Sequence, residues 1–322
     1  MFIQRARWGK NDWWRWLLVS GLVALGVIVG AVPVSVVGLY VAQRNGTADQ
    51  LSEYAESMDP SLLGMDPVLN LALLLLPFIC ALVALLVGVR ALHQRPAASL
   101  VAPTGRIDRG RVLWGFGVWI GLAFLLEGLA YAFDPAAYTL QFSGSWFLLL
   151  VVALMLLPLQ TSAEELIFRG YLWQGVGLLA KVRWVPLLVT TVLFALPHLA
   201  NPEATEYGYG PALLLYGGAG ALLGLLTLLD DRLELALGVH AATNIFAAVF
   251  VSYKAAAIQT PALLVANDLN IWLAVGVFYL AAAVFLYLAH GRYGLFHNWR
   301  NKLTAPLRFS EEREVIADTL VE

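Results

Sequence analysis

Charged residues are scarce in this chain of 322 residues: only 13% are Asp, Glu, Lys or Arg, against about a quarter in an ordinary soluble domain. A water-soluble fold of this length would need more of them to cover its surface. Cysteine is nearly absent as well, since Cys80 is the single one, and this excludes an intrachain disulfide. Apolar residues are abundant instead, at 60% of the chain, and the mean hydropathy is +0.74. The composition predicts a multi-pass protein of the cell membrane.

Eight apolar runs meet the requirement of roughly 20 residues for a helix that crosses a bilayer. They lie near residues 17–42, 67–89, 112–133, 145–166, 184–200, 211–229, 234–253 and 270–289. The first run is too long for the apolar region of a cleavable signal peptide. We therefore predict an all-α fold, a polytopic bundle of about eight transmembrane helices. The fourth run stays apolar to about Ala180, and Pro158 within it predicts a kink.

The basic residues predict how these helices are oriented, because Lys and Arg are concentrated in cytoplasmic loops. Of the 20 Lys and Arg residues, 17 fall on one side of the predicted membrane. The exceptions are Arg44 and Lys254 on the other side and Arg169 inside the fourth run. Both termini are therefore predicted to be cytoplasmic.

Titratable groups inside a bilayer are energetically costly and mark functional sites. Few fall within the predicted spans, and with one amide they are Glu127, Glu164, Glu165, Arg169, His198, His240 and Asn244. Glu165 and Arg169 are four residues apart on one helix face, so they can form an ion pair. Glu164 points about 100° away and is left for another partner. His240 and Asn244 share a face in the same way, which predicts a small polar cavity holding a carboxylate, two imidazoles and an amide.

Three short motifs in this region resemble those of a known family. Glu164-Glu165-Leu-Ile-Phe-Arg169 is similar to an EExxxR motif, Phe194-Ala-Leu-Pro-His198 to FxxxH, and His240-Ala-Ala-Thr-Asn244 to HxxxN. Together and in this order they resemble the CAAX-protease and bacteriocin-processing (Abi) family of intramembrane endopeptidases. The resemblance implies a protease core over residues 145–253. It would be preceded by a three-helix region over 1–144 and followed by the last helix and a cytoplasmic tail over 254–322.

The resemblance also implies a role for each motif residue. Glu164 and His198 would activate a water molecule, and His240 and Asn244 would stabilise the tetrahedral oxyanion. A carboxylate in a low-dielectric site is a stronger base than one in water, and an imidazole and an amide are suitable oxyanion donors. Glu165 and Arg169 would support the site. A catalytic zinc bound by Glu164, His198 and His240 is the alternative, with glutamate-activated water preferred.

Other interpretations of the same residues stay open at this stage. A proton-coupled transporter could use the carboxylates and imidazoles as a relay, and an inactive scaffold could keep the motifs. Glu127 matches no motif and is expected to be a structural partner, for example of Arg169. The expected partners are membrane lipids and a peptide or protein substrate, without nucleic acid. CAAX processing, peptide maturation, bacteriocin immunity and cleavage of membrane-protein segments are all compatible with the sequence.

Overall fold

The computed structural model describes residues 1–180 and 182–307 and is mostly helical. Lys181, the basic tail residues Arg308 and Arg313, and the acidic stretch 311–314 lie outside this range. The α-helices are α1 (Trp13–Asn45), α2 (Leu51–Ser57), α3 (Pro60–Leu63), α4 (Pro67–Ala91), α5 (Arg109–Phe133), α6 (Ser145–Glu165), α7 (Trp173–Leu179), α8 (Trp184–His198), α9 (Pro202–Tyr207), α10 (Tyr209–Asp230), α11 (Glu234–Val249), α12 (Ile271–Tyr293) and α13 (Trp299–Thr304). A π-helix (Leu166–Leu172) joins α6 to α7, and short 3₁₀ turns cover Phe2–Trp8, Ala48–Gln50, Ala97–Leu100 and Pro135–Ala137.

Each of the eight predicted apolar runs contains a helix. Six helices in the described residues are long and apolar enough to cross a membrane: α1, α4, α5, the continuous stretch Ser145–Leu179, α10 and α12. The two that fall short, α8 and α11, have 15 and 16 residues. These two shorter helices bear the histidines of the second and third motifs.

The fourth apolar run changes its helical geometry after the glutamate pair. Pro158 lies within α6, which continues as an α-helix to Glu165. The next seven residues form the π-helix, and α7 follows without a break. A π-helix pairs each N–H with the carbonyl five residues earlier and is frequently found at functional sites. The EExxxR motif therefore spans the change from α to π geometry.

Close backbone contacts hold the helices that surround this motif. α11 packs on α5 and α6, α8 packs on α10, and α4 packs on both α1 and α6. Gly238 of α11 faces the carbonyl oxygen of Val112 in α5, so closely that a Cβ atom added to this glycine would collide with it. This glycine therefore lets α11 approach α5 and fixes the position of His240 two residues later.

A buried arginine ties the N-terminal segment to the motif-bearing helix. Arg95 is fully buried and donates to the side-chain oxygen of Gln174 in α7 at 2.5 Å and to the carbonyl of Arg5 at 3.0 Å. Gln174 in turn donates to the carbonyl of Ser99 at 2.8 Å. Burial lowers the pKa of Arg95 to about 10, which still leaves the guanidinium charged near neutral pH.

A small β-sheet that the sequence did not predict accompanies the mostly helical fold. Its strands are β1 (Tyr138–Leu140), β2 (Val251–Tyr253) and β3 (Leu264–Ala266), in the order β1-β3-β2. β3 pairs antiparallel with β1 and parallel with β2. The three strands have three residues each, and β1 lies more than 100 residues before β2 and β3, so no local pattern in the sequence predicted them.

Candidate active site

The ion pair expected from the i,i+4 spacing is present at the α–π junction. Arg169 Nη1 donates to Glu165 Oε1 at 2.8 Å, and both side chains are fully buried. Arg169 also donates from Nη2 to the carbonyl of Gly220 in α10 at 3.2 Å. Its guanidinium lies 4.2 Å from the ring centre of Phe194, close enough for a cation–π contact. The first motif is thereby fastened to α8 and α10.

His240 bridges the two adjacent glutamates. Its Nδ1 lies 2.8 Å from Glu165 Oε1, and its Nε2 lies 3.3 Å from Glu164 Oε2. An ionised carboxylate only accepts hydrogen bonds, so we assign the Nδ1 proton to the bond with Glu165. The result is a continuous chain from Arg169 through Glu165 and His240 to Glu164. The carboxylates of Glu164 and Glu165 thus contact opposite sides of the His240 ring.

His198 is held between two aromatic rings. Its ring centre is 4.5 Å from that of Phe194 and 4.5 Å from that of Tyr216. Nδ1 donates to the Phe194 carbonyl at 2.6 Å, which leaves Nε2 as the proton-accepting nitrogen. The Tyr216 hydroxyl accepts a hydrogen bond from Asn201 at 2.9 Å. Ring orientation and tautomer are therefore both fixed by neighbours on α8 and α10 and in the α8–α9 connection.

All four residues expected to be catalytic line one cavity of about 390 Å³. Glu164 and His240 are almost completely buried in its wall, whereas His198 and Asn244 are half-buried. Asn244 donates one amide hydrogen to the side-chain oxygen of Gln160 at 2.9 Å, which leaves its second amide hydrogen for another acceptor. Much of the remaining wall is apolar, with Leu71, Leu75, Phe78, Trp119, Leu222 and Phe278 among its residues. An apolar cavity with a few convergent polar groups is the usual form of a ligand site.

The imidazole beside Glu164 differs from the one that the family resemblance pairs with it. The resemblance joins Glu164 to His198, yet it is His240 that approaches Glu164 within 3.3 Å. His198 and Glu164 share the cavity wall instead. The rotation of each helix about its own axis determines which histidine lies next to Glu164. The spacing of the motifs along the chain does not show that rotation.

Several polar residues of the cavity were not among the predicted site residues. Gln160 lies one turn before Glu164, and its polarity within an apolar run was a usable signal. Tyr216, Asn201, Glu203 and Tyr253 also line the cavity, but they fall outside every motif. The Tyr253 hydroxyl donates to the Glu203 carboxylate at 3.2 Å, so these two residues form a polar corner of the wall.

The residues considered for zinc do not converge as a ligand set. Within the part of the chain that the structure describes, no group of three or more His, Cys, Asp or Glu side chains is arranged to hold a metal ion. Both ring nitrogens of His240 already face glutamate oxygens, and Nδ1 of His198 is committed to a carbonyl. We therefore derive no step through a metal.

Glu127 is not a partner of Arg169, so that hypothesis was wrong. Its carboxylate accepts a hydrogen bond from the hydroxyl of Tyr138 in β1 at 2.7 Å. Burial and this carboxylate raise the pKa of Tyr138. Glu127 thus joins the end of α5 to the small sheet and lies outside the cavity described above.

Comparison with known proteins identifies the family of the chain. The family model described as type II CAAX prenyl endopeptidase Rce1-like matches residues 143–246, which contain all three motifs. The uncharacterized protein YyaK of Bacillus subtilis (strain 168) is 32% identical over 252 residues, or 76% of this chain and 80% of that protein. The chain belongs to the Rce1-like family of type II CAAX prenyl endopeptidases. No solved structure matches the chain.

Membership in the Rce1-like family identifies the general nature of the protein. The family is one of proteases, and this member has six helices of membrane-spanning length within its described residues. It is therefore a multi-pass membrane protein.

Proposed function

We propose that this protein is an intramembrane endopeptidase that hydrolyses a peptide bond of a membrane-associated or lipidated peptide. The observation that carries the proposal is the shared cavity, because Glu164, His198, His240 and Asn244 all line it. Its apolar wall suits a substrate that is itself partly apolar. A water molecule between Glu164 and His198 would be the nucleophile, and no metal is invoked.

The proposed chemistry begins when the water oxygen bonds to the substrate carbonyl carbon and its proton passes to Glu164 or to Nε2 of His198. Glu164 lies 3.3 Å from His240 Nε2, so it can pass such a proton on. Glu165, held by Arg169, stabilises the imidazolium that results, as a buried carboxylate does in a catalytic triad. Once protonated in this way, His240 has a proton on Nε2 and can donate a hydrogen bond.

The oxyanion would accept hydrogen bonds from protonated His240 and from the amide hydrogen of Asn244 that Gln160 does not use. When the intermediate collapses, the C–N bond breaks and the stored proton moves to the leaving amine. The new carboxylic acid keeps the water oxygen and the second water proton, which it then releases to solvent. Glu165 and Arg169 touch no substrate in this scheme and act as positioning residues.

We further propose that all eight apolar helices span the membrane and that both termini are cytoplasmic. The two shorter helices have 15 and 16 residues, so each measures about 22–24 Å at 1.5 Å per residue, against a hydrocarbon core of about 30 Å. α9 follows the first of them along the chain, and β2 follows the second. The distribution of Lys and Arg supports the orientation.

Comparative peptide proteomics of membranes tests the proposed function and does not require the substrate to be identified in advance. Membranes from cells that produce the wild-type protein are compared with membranes that contain Glu164→Gln at an equal level. We expect new peptide termini in the wild-type sample that are missing from the variant. Identical sets of termini, with both proteins folded and present in equal amounts, would contradict the proposal.

A further inference from the structure

A second carboxylate lines the proposed catalytic cavity and belongs to none of the three motifs. Glu203 lies in α9, and only 6% of its surface is exposed. Its Oε1 accepts two hydrogen bonds, from the backbone N–H of Ala257 at 2.6 Å and from the Tyr253 hydroxyl at 3.2 Å. Its Oε2 is buried and has no hydrogen-bond partner among the residues that the structure describes.

Glu203 also lacks a counter-charge within the described part of the chain. Every ion pair there joins other residues. The neighbouring cation, Lys254, is paired with Glu206 of the same helix as Glu203 at 2.8 Å. Removal of a carboxylate from water without a partner is costly, so a buried carboxylate is normally paired. A cation supplied by a ligand would fill this role.

The surroundings of Glu203 are suited to a cation. Tyr216 and Tyr253 line the same cavity, and aromatic rings attract ammonium and guanidinium groups. Tyr216 is also stacked on His198, so this part of the wall adjoins the proposed base. A positively charged group bound here would lie in the same cavity as the peptide bond to be cut.

We propose that Glu203 forms a subsite for a cationic group of the substrate, either a Lys or Arg side chain or a free α-amine. The inference rests on the proposed function, because it assigns a specificity to the same cavity. Glu203 would bind and orient this group without taking part in proton transfer. A substrate with a neutral residue at that position would leave the carboxylate unpaired and bind less well.

Paired peptides that differ only by Lys or norleucine near the cut bond test the subsite. Binding is measured with the full-length Glu164→Gln protein, so that no turnover is needed and a failed protease assay leaves the result intact. We expect the Lys peptide to bind about tenfold more tightly or better, and the added change Glu203→Gln to remove the difference. Glutamine keeps Oε1 for Ala257 and Tyr253, so the local fold is preserved.

Two matched variants complete the design. Glu203→Asp keeps the charge and should retain the preference for Lys, whereas Glu206→Gln, on the same helix but exposed, should leave the preference unchanged. The subsite proposal is overturned if Glu203→Gln and its parent discriminate equally. Turnover on the same peptides separates the two claims: cleavage that persists in Glu164→Gln refutes the proposed mechanism, whatever Glu203 does.

Discussion

Replacement of Glu165 by glutamine should destabilise the protein strongly, because Arg169 then loses its counter-charge in a fully buried position. Breaking a buried ion pair by changing one partner costs about 3–5 kcal/mol. Arg169 would then have only neutral partners: the side-chain oxygen of the new glutamine, the Gly220 carbonyl and the rings of Phe168 and Phe194. We expect a clear fall in the melting temperature of the detergent-solubilised protein.

The reciprocal change, Arg169→Gln, should cost less. Glu165 would keep its bond to His240, whose ring can take up a proton and supply the missing positive charge. The double variant Glu165→Gln/Arg169→Gln buries no lone charge and should recover part of the stability lost by Glu165→Gln. Recovery will be incomplete, since the contacts of Arg169 with Gly220 and Phe194 are lost as well.

Melting temperatures of the wild type, both single variants and the double variant provide the test, with Glu206→Gln as the control. Glu206 pairs with Lys254 at the exposed surface, where such pairs contribute about 0–1 kcal/mol. The reasoning is refuted if Glu165→Gln melts with the wild type, or if the double variant melts below both single variants. Turnover of Glu165→Gln should fall too, because glutamine cannot stabilise an imidazolium at His240.

Three further predictions address the topology, the absence of a metal requirement and the aromatic support of His198. Reporter fusions should read as outside at residues 55 and 205 and as cytoplasmic at residues 100 and 315; a cytoplasmic signal at 55 contradicts the eight-helix arrangement. Purified protein should keep its activity after exhaustive chelation, whereas stoichiometric zinc lost together with activity in His198→Ala or His240→Ala would overturn the metal-free site. Tyr216→Phe keeps the ring stacked on His198 and should retain most of the turnover, while Tyr216→Leu should lower kcat by about tenfold or more. Full kcat in the leucine variant would show that the stacking is dispensable.

Much of the helical architecture followed from the sequence, since apolar length and i,i+4 spacing are local properties. The fourth run was predicted at residues 145–166, and the helix found there starts at Ser145. The ion pair between Glu165 and Arg169 was predicted because four residues separate them on one helix. The π-helix from Leu166 to Leu172 was not predicted. Its wider geometry depends on packing around the motif, which the sequence of the run does not show.

Contacts between distant segments were the part that the sequence did not reveal. β1 lies in the α5–α6 connection and β2 and β3 lie in the α11–α12 connection, and each strand alone is too short to give a periodic signal. The contact between His240 and Glu164 depends on the rotation and tilt of α11 relative to α6, which are set by neighbouring helices. Glu203 lies outside the predicted spans and matches no motif, and only the fold brings it to the cavity wall.

Turnover by Glu164→Gln tests the central claim most directly. Wild-type and variant proteins are purified, returned to lipid and supplied with a peptide whose cleavage the membrane comparison has identified. Glutamine preserves the shape of the side chain but removes its ability to accept a proton. The proposed mechanism predicts that turnover falls by roughly 10²-fold or more while the melting temperature stays near that of the wild type. A folded Glu164→Gln protein that cleaves the peptide at the wild-type rate would contradict it.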